Sequence, residues 1–181
     1  MANAVFYLME PTSISYTGTS ASISANGSVE FSACSIVDLR GVFTADYDNY
    51  ILVSWYTSTG GAHNITAQLL SGTTPATGTN YTRQYLLADG ASVSAGLVTA
   101  SNAFAFSRAS SVSVGGHAVY IYGPYLSQPT ACRAINKSAD SILFQEEVGT
   151  HSLSNSYDGL RVTNNSTTNQ SGRVAMYGMR K

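Results

Sequence analysis

Charged side chains are scarce in this chain, at 10% of 181 residues, whereas about a quarter is typical of soluble domains. The nine basic residues are scattered and the formal net charge is −1, so no cationic cluster is available to neutralise a run of phosphates. Nucleic-acid binding is therefore not expected. Hydroxyl side chains fill the gap, with 26 Ser and 18 Thr. Such a surface repels its own copies only weakly, which favours a protein that packs against itself or a partner.

Long apolar runs are also missing. No stretch approaches the roughly 18 residues that a membrane-spanning helix needs, so no membrane segment is expected. The first residues, MANAVFYLMEPTS, lack a positively charged start and contain only a short apolar stretch. Because a secretory signal requires both features, we expect synthesis in the cytoplasm.

Cysteine is rare as well. Cys34 and Cys132 lie far apart, without a C-x-x-C spacing or a histidine near either, so neither predicts a metal site. In a protein made in the cytoplasm, two buried free thiols are the expected state. A disulfide between them is the alternative.

The apolar periodicity of an amphipathic helix is absent throughout. Short alternating segments recur instead between Gly-, Asn-, Ser- and Thr-rich turns, which predicts an all-β sandwich or barrel. Their number indicates about eight to ten antiparallel strands in two sheets. In SVEFSAC, Val29, Phe31 and Ala33 should share one face. Residues 50–58 carry apolar side chains on both faces, which predicts a central strand.

The segment from Met1 to Gly27 has a weaker pattern, with an apolar VFYLM followed by a thin Ser/Thr/Ile alternation. It fits either a leading strand of the sandwich or an arm that lies on a neighbouring subunit. We favour an arm with some strand character, followed by a β-sandwich domain at 28–181. Phe6, Tyr7 and Leu8 are the interface candidates of this segment.

The acidic corner at residues 46–49 has two interpretations. Asp46, Asp48 and Asn49 could supply oxygen ligands to calcium, or the aspartates could form a carboxylate pair. However, an EF-hand loop needs oxygens at alternate positions, a glycine and a terminal glutamate, and these are absent here. Asp and Asn also stabilise turns by bonding to nearby backbone groups. Because the corner separates two apolar segments, we favour a turn and expect no metal or other cofactor.

Catalytic constellations are lacking too. No spacing singles out a carboxylate pair, and Glu146 and Glu147 would point to opposite faces of a strand. His63, His117 and His151 stand alone, and no G-x-S-x-G elbow is present. The chain is therefore not expected to be an enzyme.

Aromatic side chains, by contrast, are plentiful, with twelve tyrosines beside a single tryptophan. Exposed aromatic rings either stack on sugars or anchor subunit interfaces. Tyr47, Tyr50, Trp55, Tyr56 and Tyr125 are candidates for either role. The alternative is that most tyrosines belong to the sandwich core, with the hydroxyl reaching its edge.

Four segments follow one another in a distinctive order. They are LRGVFTADYDNYILV, NITAQLLSGTTPATGTNYTRQYL, VYIYGPYLSQPTA and the C-terminal YDGLRVTNNSTTNQSGRVAMYGMRK. As an ordered set they resemble a group of small virion structural proteins of tailed bacteriophages. The resemblance covers about Leu39 to Lys181, which is most of the chain.

The resemblance implies a jelly-roll-like β-sandwich on the virion surface, without enzymatic activity. Because the chain lacks a collagen-like or coiled-coil shaft, a decoration (cement) protein on the viral capsid is favoured over a tail-fibre tip. The implied partners are the major capsid protein and further copies in a homotrimer, with residues 1–27 clasping the shell or a neighbour. The alternative is a tail-fibre or minor tail module that binds a host-surface glycan.

Overall fold

The computed structural model describes residues 6–58, 60, 63–109, 114–137, 143–164 and 168–180, and these consist of strands and turns. None of the described residues lies in a helix long and apolar enough to cross a membrane. The all-β prediction is confirmed. The strands are β1 (Phe6–Leu8), β2 (Ser13–Ile23), β3 (Val29–Arg40), β4 (Tyr47–Ser58), β5 (His63–Ser71), β6 (Thr74–Pro75), β7 (Tyr81–Asp89), β8 (Ser92–Ser101), β9 (Phe104–Ala109), β10 (Gly115–Tyr122), β11 (Thr130–Lys137), β12 (Phe144–His151), β13 (Gly159–Asn164) and β14 (Gln170–Arg180).

Seven of these strands build a jelly roll of two packed sheets. One sheet has the order β3–β14–β4–β10 and the other has β3–β13–β5–β9, with antiparallel pairing throughout. β3 serves both sheets because residues 29–34 pair with β14 whereas residues 36–39 pair with β13. Because β3 occupies one position in each sheet, the seven strands fill the eight positions of a jelly roll with its two Greek keys. The jelly-roll-like fold predicted from the sequence is therefore confirmed.

A bulge marks the point where β3 changes sheet. Ala33 has a φ of 47°, and it is Cys34 that enters the core, with no exposed surface. The prediction that Ala33 continues the face of Val29 and Phe31 is therefore wrong, because the bulge shifts the alternation by one residue. Gly18 of β2 lies opposite, where an added Cβ would come within 2.3 Å of the Ala33 carbonyl oxygen.

The sheet that contains β10 continues beyond it through β11, β12, β7 and β8, and we call it the large sheet. The sheet that contains β9 is the smaller sheet. The chain inserts β11 and β12 between β10 and β13, and it inserts β7 and β8 between β5 and β9. The strand number exceeds the expected eight to ten because these four strands, together with β1, β2 and β6, are added around the jelly roll. We call β11, β12, β7 and β8 the extension.

The core between the sheets is rich in aromatic rings, and Phe104 and Phe106 of β9 pack into it from the smaller sheet. Tyr81 of β7 meets Phe104 edge-on at 4.8 Å. Its hydroxyl accepts a hydrogen bond from the Leu69 N–H (3.1 Å) and donates one to the Ala76 carbonyl (3.0 Å). These bonds satisfy the polar end of a ring that is otherwise sealed from water. β4 lies between β14 and β10, which confirms its predicted central position.

The described part of the N-terminal segment belongs to the chain's own sheets. β1 pairs with the end of β14, placing Leu8 opposite Tyr177, and β2 pairs with β3 along most of its length. Between them, the Met9 N–H bonds to the Met176 carbonyl (2.8 Å). The described residues of this segment thus form strands of the chain's own sheets. Residues 1–5 lie outside the described ranges.

Both cysteines are buried, and neither forms a disulfide, which confirms the free-thiol prediction. Burial, reinforced by the charge of Glu147, raises the pKa of the Cys132 thiol. Because the thiolate is the reactive form, this cysteine is a packing residue.

Candidate functional site: the outer face of the large sheet

One side of the large sheet points away from the smaller sheet and is unusually apolar. The solvent side of an antiparallel sheet is ordinarily polar. Here the strands carry apolar side chains on both faces, so that many large apolar side chains are exposed on the solvent side. We call this side the outer face, and its exposed apolar residues are Phe6, Leu8, Val53, Trp55, Leu86, Val93, Leu97, Tyr122, Phe144 and Val148.

Strand register arranges the outer face in rows that cross the whole sheet. Directly opposite residues of neighbouring strands share a face and lie close enough to touch. One row passes through eight strands and consists of Leu97, Gln84, Val148, Arg133, Tyr120, Ile51, Tyr177 and Leu8. Only two of these eight side chains are fully polar. The row therefore connects the exposed apolar groups into one continuous surface.

At the β8 end the outer face is grooved and aliphatic. Two adjoining grooves of about 570 Å³ and 550 Å³ share Gln84, Leu97 and Val148 in their walls. The charged residues in their walls are Arg83, Arg133 and Glu146. Arg83 pairs with the buried Glu147 at 3.5 Å, and Arg133 pairs with Glu146 at 2.7 Å. Because the Arg133–Glu146 pair is exposed and self-satisfied, it adds little binding energy. Burial of aliphatic surface is the main attraction that these grooves offer.

At the opposite end the outer face is chemically different. Trp55, Arg173, Glu30 and Ser22 lie side by side on four adjacent strands. Trp55, Glu30, Ser22 and Ser20 border a depression of about 260 Å³, and the tryptophan is 41% exposed. The Arg173 Nη1 lies 3.8 Å from the Glu30 Oε1. An exposed ring beside hydroxyl and carboxylate groups can stack on a ligand and hydrogen bond to it at once.

Three predicted site residues lie on the outer face and are exposed there, namely Phe6, Leu8 and Trp55. Tyr7 points to the other side of β1, where its ring lies 5.8 Å from that of Tyr47. These two tyrosines pack on each other at the edge of the jelly roll.

The other predicted tyrosines lie inside or partly inside the protein. Tyr50 and Tyr56 have no exposed surface, so neither can contact a partner, and their prediction as site residues is wrong. The physical reason is the strand alternation, since both share the inward side of β4 with Leu52. Tyr125 is partly buried and packs against the core.

Only the start of the acidic corner is a turn, at residues 45–46, because β4 begins at Tyr47 and includes Asp48 and Asn49. The turn prediction therefore holds for Asp46 and is wrong for Asp48 and Asn49. The Tyr50 hydroxyl accepts a hydrogen bond from the Thr44 N–H (2.8 Å) and lies 3.0 Å from the Thr44 carbonyl oxygen. Burial is the main cause that raises the pKa of this phenol. The Asp48 carbonyl accepts a bond from the Gly123 N–H (2.8 Å). Among the described residues, no group of three or more His, Cys, Asp or Glu could hold a metal ion, and this includes groups around Asp46 and Asp48.

Polar side chains of β12 and β10 also belong to the fold. Glu146 faces outward and Glu147 inward, so the prediction that they point to opposite faces is confirmed. Burial raises the pKa of Glu147 to about 7, although Arg83 at 3.5 Å opposes the rise. His117 stacks on Tyr56 with ring centroids 5.0 Å apart, and burial lowers its pKa to about 4. At neutral pH this imidazole is uncharged, which suits its place in the core.

The sequence predicts neither β8 nor the grooves beside it. The segment SVSAGLVTAS is rich in small and hydroxyl residues, as the neighbouring turns are. A usable signal was present, since Val93, Ala95 and Leu97 alternate with smaller residues at the period of a strand.

No family model matches the chain, and no curated protein is significantly similar to it in sequence. Among solved structures, a protein of unknown function from Shewanella oneidensis MR-1 is 9% identical, with a TM-score of 0.28 over 97% of this chain and 79% of that one. A seed lectin of Lotus tetragonolobus is 9% identical, with a TM-score of 0.31 over 98% and 100%. The C-terminal carbohydrate-binding module of a laminarinase from Zobellia galactanivorans is 11% identical, with a TM-score of 0.23 over 95% and 98%. Likenesses this weak carry no argument about function.

Proposed function

We propose that the chain is a non-enzymatic structural subunit of a tailed-bacteriophage virion, attached to the outside of the capsid as a decoration protein. The apolar outer face is the observation that carries the proposal. A large contiguous apolar surface on a folded domain marks a place where another molecule binds. The ordered sequence motifs supply the virion setting.

The chemistry of the grooved end favours a protein partner. Leu86, Leu97 and Val148 make no directional bonds, and their burial contributes about 25 cal/mol for each Å² removed from water. A coat protein can offer matching apolar surface, whereas a polar ligand needs donors and acceptors that this end does not concentrate. The major capsid protein is therefore the proposed partner.

Repetition strengthens such contacts. When several copies assemble on the shell, their outer faces would engage it together, so that individually weak contacts combine into strong attachment. A symmetric subunit that bridges coat proteins adds buried area at each junction of the shell.

Copy number in purified particles tests this proposal. Quantitative mass spectrometry of virions should find the chain in a fixed, near-stoichiometric ratio to the major capsid protein, because decoration positions repeat with the shell lattice. A tail protein of the same particle serves as the internal standard for low copy number. A ratio equal to that of the tail standard would indicate that the chain is a tail protein. Absence of the chain from purified particles would contradict any role in the virion.

The depression beside Trp55 favours a second candidate, a module that binds host-surface carbohydrate. The exposed indole offers a stacking surface, while Glu30 and the serine hydroxyls offer hydrogen-bond partners to sugar hydroxyls. This combination is confined to one end of the outer face, so it leaves the aliphatic grooves free for a protein partner.

Substitution of Trp55 by alanine tests this candidate. Wild-type protein titrated with host-surface polysaccharide should bind saturably, and the W55A variant should lose at least about tenfold in affinity, since about 1.4 kcal/mol of stacking corresponds to that factor. The matched control is Tyr16→Ala, which removes an exposed aromatic ring of β2 outside the depression. A flat wild-type titration, or equal loss in both variants, would remove the candidate.

A further inference from the structure

We propose that the free edge of β8 pairs with β8 of a second copy of this chain, joining two large sheets into one. β8 is the last strand of the extension, and no other described strand pairs with its far side. Alternate backbone N–H and C=O groups along that side are thus available for hydrogen bonding. A strand is the partner that satisfies such a row of groups in full.

The β8 edge lacks the features that normally prevent such pairing. Edge strands are protected by lysine, proline or inward-pointing charges, and the ten residues Ser92–Ser101 include none of these. The two most exposed large apolar side chains of the described chain, Val93 at 71% and Leu97 at 61%, both belong to it. Their exposure is costly in a free monomer and is partly relieved when a paired strand places apolar side chains beside them.

Self-complementarity identifies the second strand as another copy of β8. The pairing of β8 with β7 is regular over residues 92–98, and the register shifts beyond that stretch. An antiparallel pair about a twofold axis at Ala95 uses this stretch fully, because residue 92 then lies opposite residue 98. Val93 lies opposite Leu97 on the outer face, and the small Ala95 side chains meet at the axis. Directly opposite side chains of this kind stabilise antiparallel pairs.

The inner side of the hairpin is compatible with the same arrangement. The Tyr85 ring lies over Gly96, where an added Cβ would come within 2.5 Å of it, and Arg83 lies over that ring at 5.4 Å. The chain's own residues thus cover this side at Gly96, whereas the exposed apolar side chains Val93 and Leu97 lie on the outer face. Pairing therefore makes the aliphatic grooves of the two copies continuous across the axis, whichever molecule the outer face binds.

Mass measurement by light scattering tests the pairing. Wild-type protein should elute as a species of 38.2 kDa, twice the 19.1 kDa of one chain. The V93K/L97K double variant places like charges opposite each other and should elute at the monomer mass. The matched control is Tyr16→Lys, a charge placed at an exposed position of the edge strand β2, and it should keep the dimer mass. A wild-type monomer, or a trimer unaffected by the double variant, would overturn the pairing.

Cysteine cross-linking checks the register without weakening the interface. Oxidised A95C protein should form a covalent dimer, because the two Ala95 positions meet at the axis within disulfide reach. In T99C the two positions would be eight residues out of register, about 27 Å apart, and should stay unlinked. Equal cross-linking of both variants, or failure of A95C to cross-link, would contradict the proposed register.

Discussion

Replacing Asp38 with alanine is expected to lower the free energy of unfolding by about 3–5 kcal/mol, because it leaves the cationic partners of a buried carboxylate without their counter-charge. Asp38 lies on β3, and its side chain is only 2% exposed. Arg161 of β13 donates to both carboxylate oxygens, at 2.7 and 3.0 Å. Ser15 of β2 donates to one of them at 2.9 Å. One side chain therefore holds β2, β3 and β13 together.

The Asp38 cluster should also change how the free energy of unfolding depends on pH under acidic conditions. Burial alone would raise the pKa of Asp38, but hydrogen bonds from Arg161 and Ser15 and the charges of Arg161 and Arg40 lower it below 3.8. A carboxyl group with a depressed folded-state pKa stabilises the protein above its unfolded value and loses that contribution as the pH falls through the folded value. Wild-type protein should therefore lose stability below about pH 4 more steeply than the alanine variant.

Urea denaturation at pH 7 and at pH 3 measures both effects. Arg133→Ala is the matched control, since it breaks an ion pair of 2.7 Å whose partners are 48% and 32% exposed. Exposed pairs contribute about 0–1 kcal/mol, so this variant should stay near wild type. Asp38→Asn, which keeps the shape of the side chain, separates lost charge from lost packing. If Asp38→Ala changes stability no more than Arg133→Ala, the cluster does not hold the strands together.

Local alternation in the sequence was sufficient to predict the fold class and the place of β4. Residues 50–58 carry apolar side chains on both faces, a pattern that favours a central strand, although Val53 and Trp55 are exposed on the outer face. The bend of β3 could not be predicted in this way. It depends on the pairing of residues 29–34 with β14, which lies more than a hundred residues away in the chain. Alternation within SVEFSAC gives no sign of that distant partner.

The candidate site was predictable only in part, for the same reason. Trp55 was identified because it is a lone, large aromatic side chain on a strand. The outer face as a whole depends on the register of eight strands, which brings Leu8 and Leu97 into one row. No local pattern encodes that row. Tyr56 shows the opposite error, since its alternation with Trp55 puts the two side chains on opposite faces of β4, and both could not line the same exposed surface.

Low charge and the apolar outer face have one physical consequence in common. A free monomer with few charges and a broad apolar sheet would associate without specificity. Pairing at β8 and binding through the outer face would cover much of this surface in defined ways. The low charge of the chain is therefore consistent with a protein that works as part of an assembly.

Replacing Glu147 with glutamine is expected to stabilise the protein at pH 8 by up to about 3 kcal/mol, since each unit of pKa shift corresponds to about 1.4 kcal/mol. Burial is the main cause that raises the pKa of this carboxyl from 4.5 to about 7, while Arg83 opposes the rise. Below pH 4.5 the carboxyl is neutral in both the folded and the unfolded chain, so it imposes no cost. Between 4.5 and 7 the unfolded chain ionises first, and stability falls as the pH rises. Above 7 the cost is constant.

The difference between variant and wild type isolates this group. His117 titrates in an overlapping range with the opposite sign, because burial lowers its pKa from 6.5 to about 4 and its contribution to stability falls as the pH falls. The two slopes largely cancel in wild-type protein between about pH 4.5 and 6.5, and glutamine at position 147 should reveal the histidine slope.

Thermal or urea unfolding across pH 4 to 8 measures the difference. Glu146→Gln is the matched control, because it makes the same change on the neighbouring residue of β12, which faces outward in an exposed ion pair. Its difference from wild type should stay small, since exposed ion pairs contribute about 0–1 kcal/mol. A Glu147→Gln difference that does not change with pH would mean that the Arg83 ion pair and the hydrogen bond donated by the Gln145 amide compensate the buried carboxylate fully. Its ionisation would then cost the fold nothing.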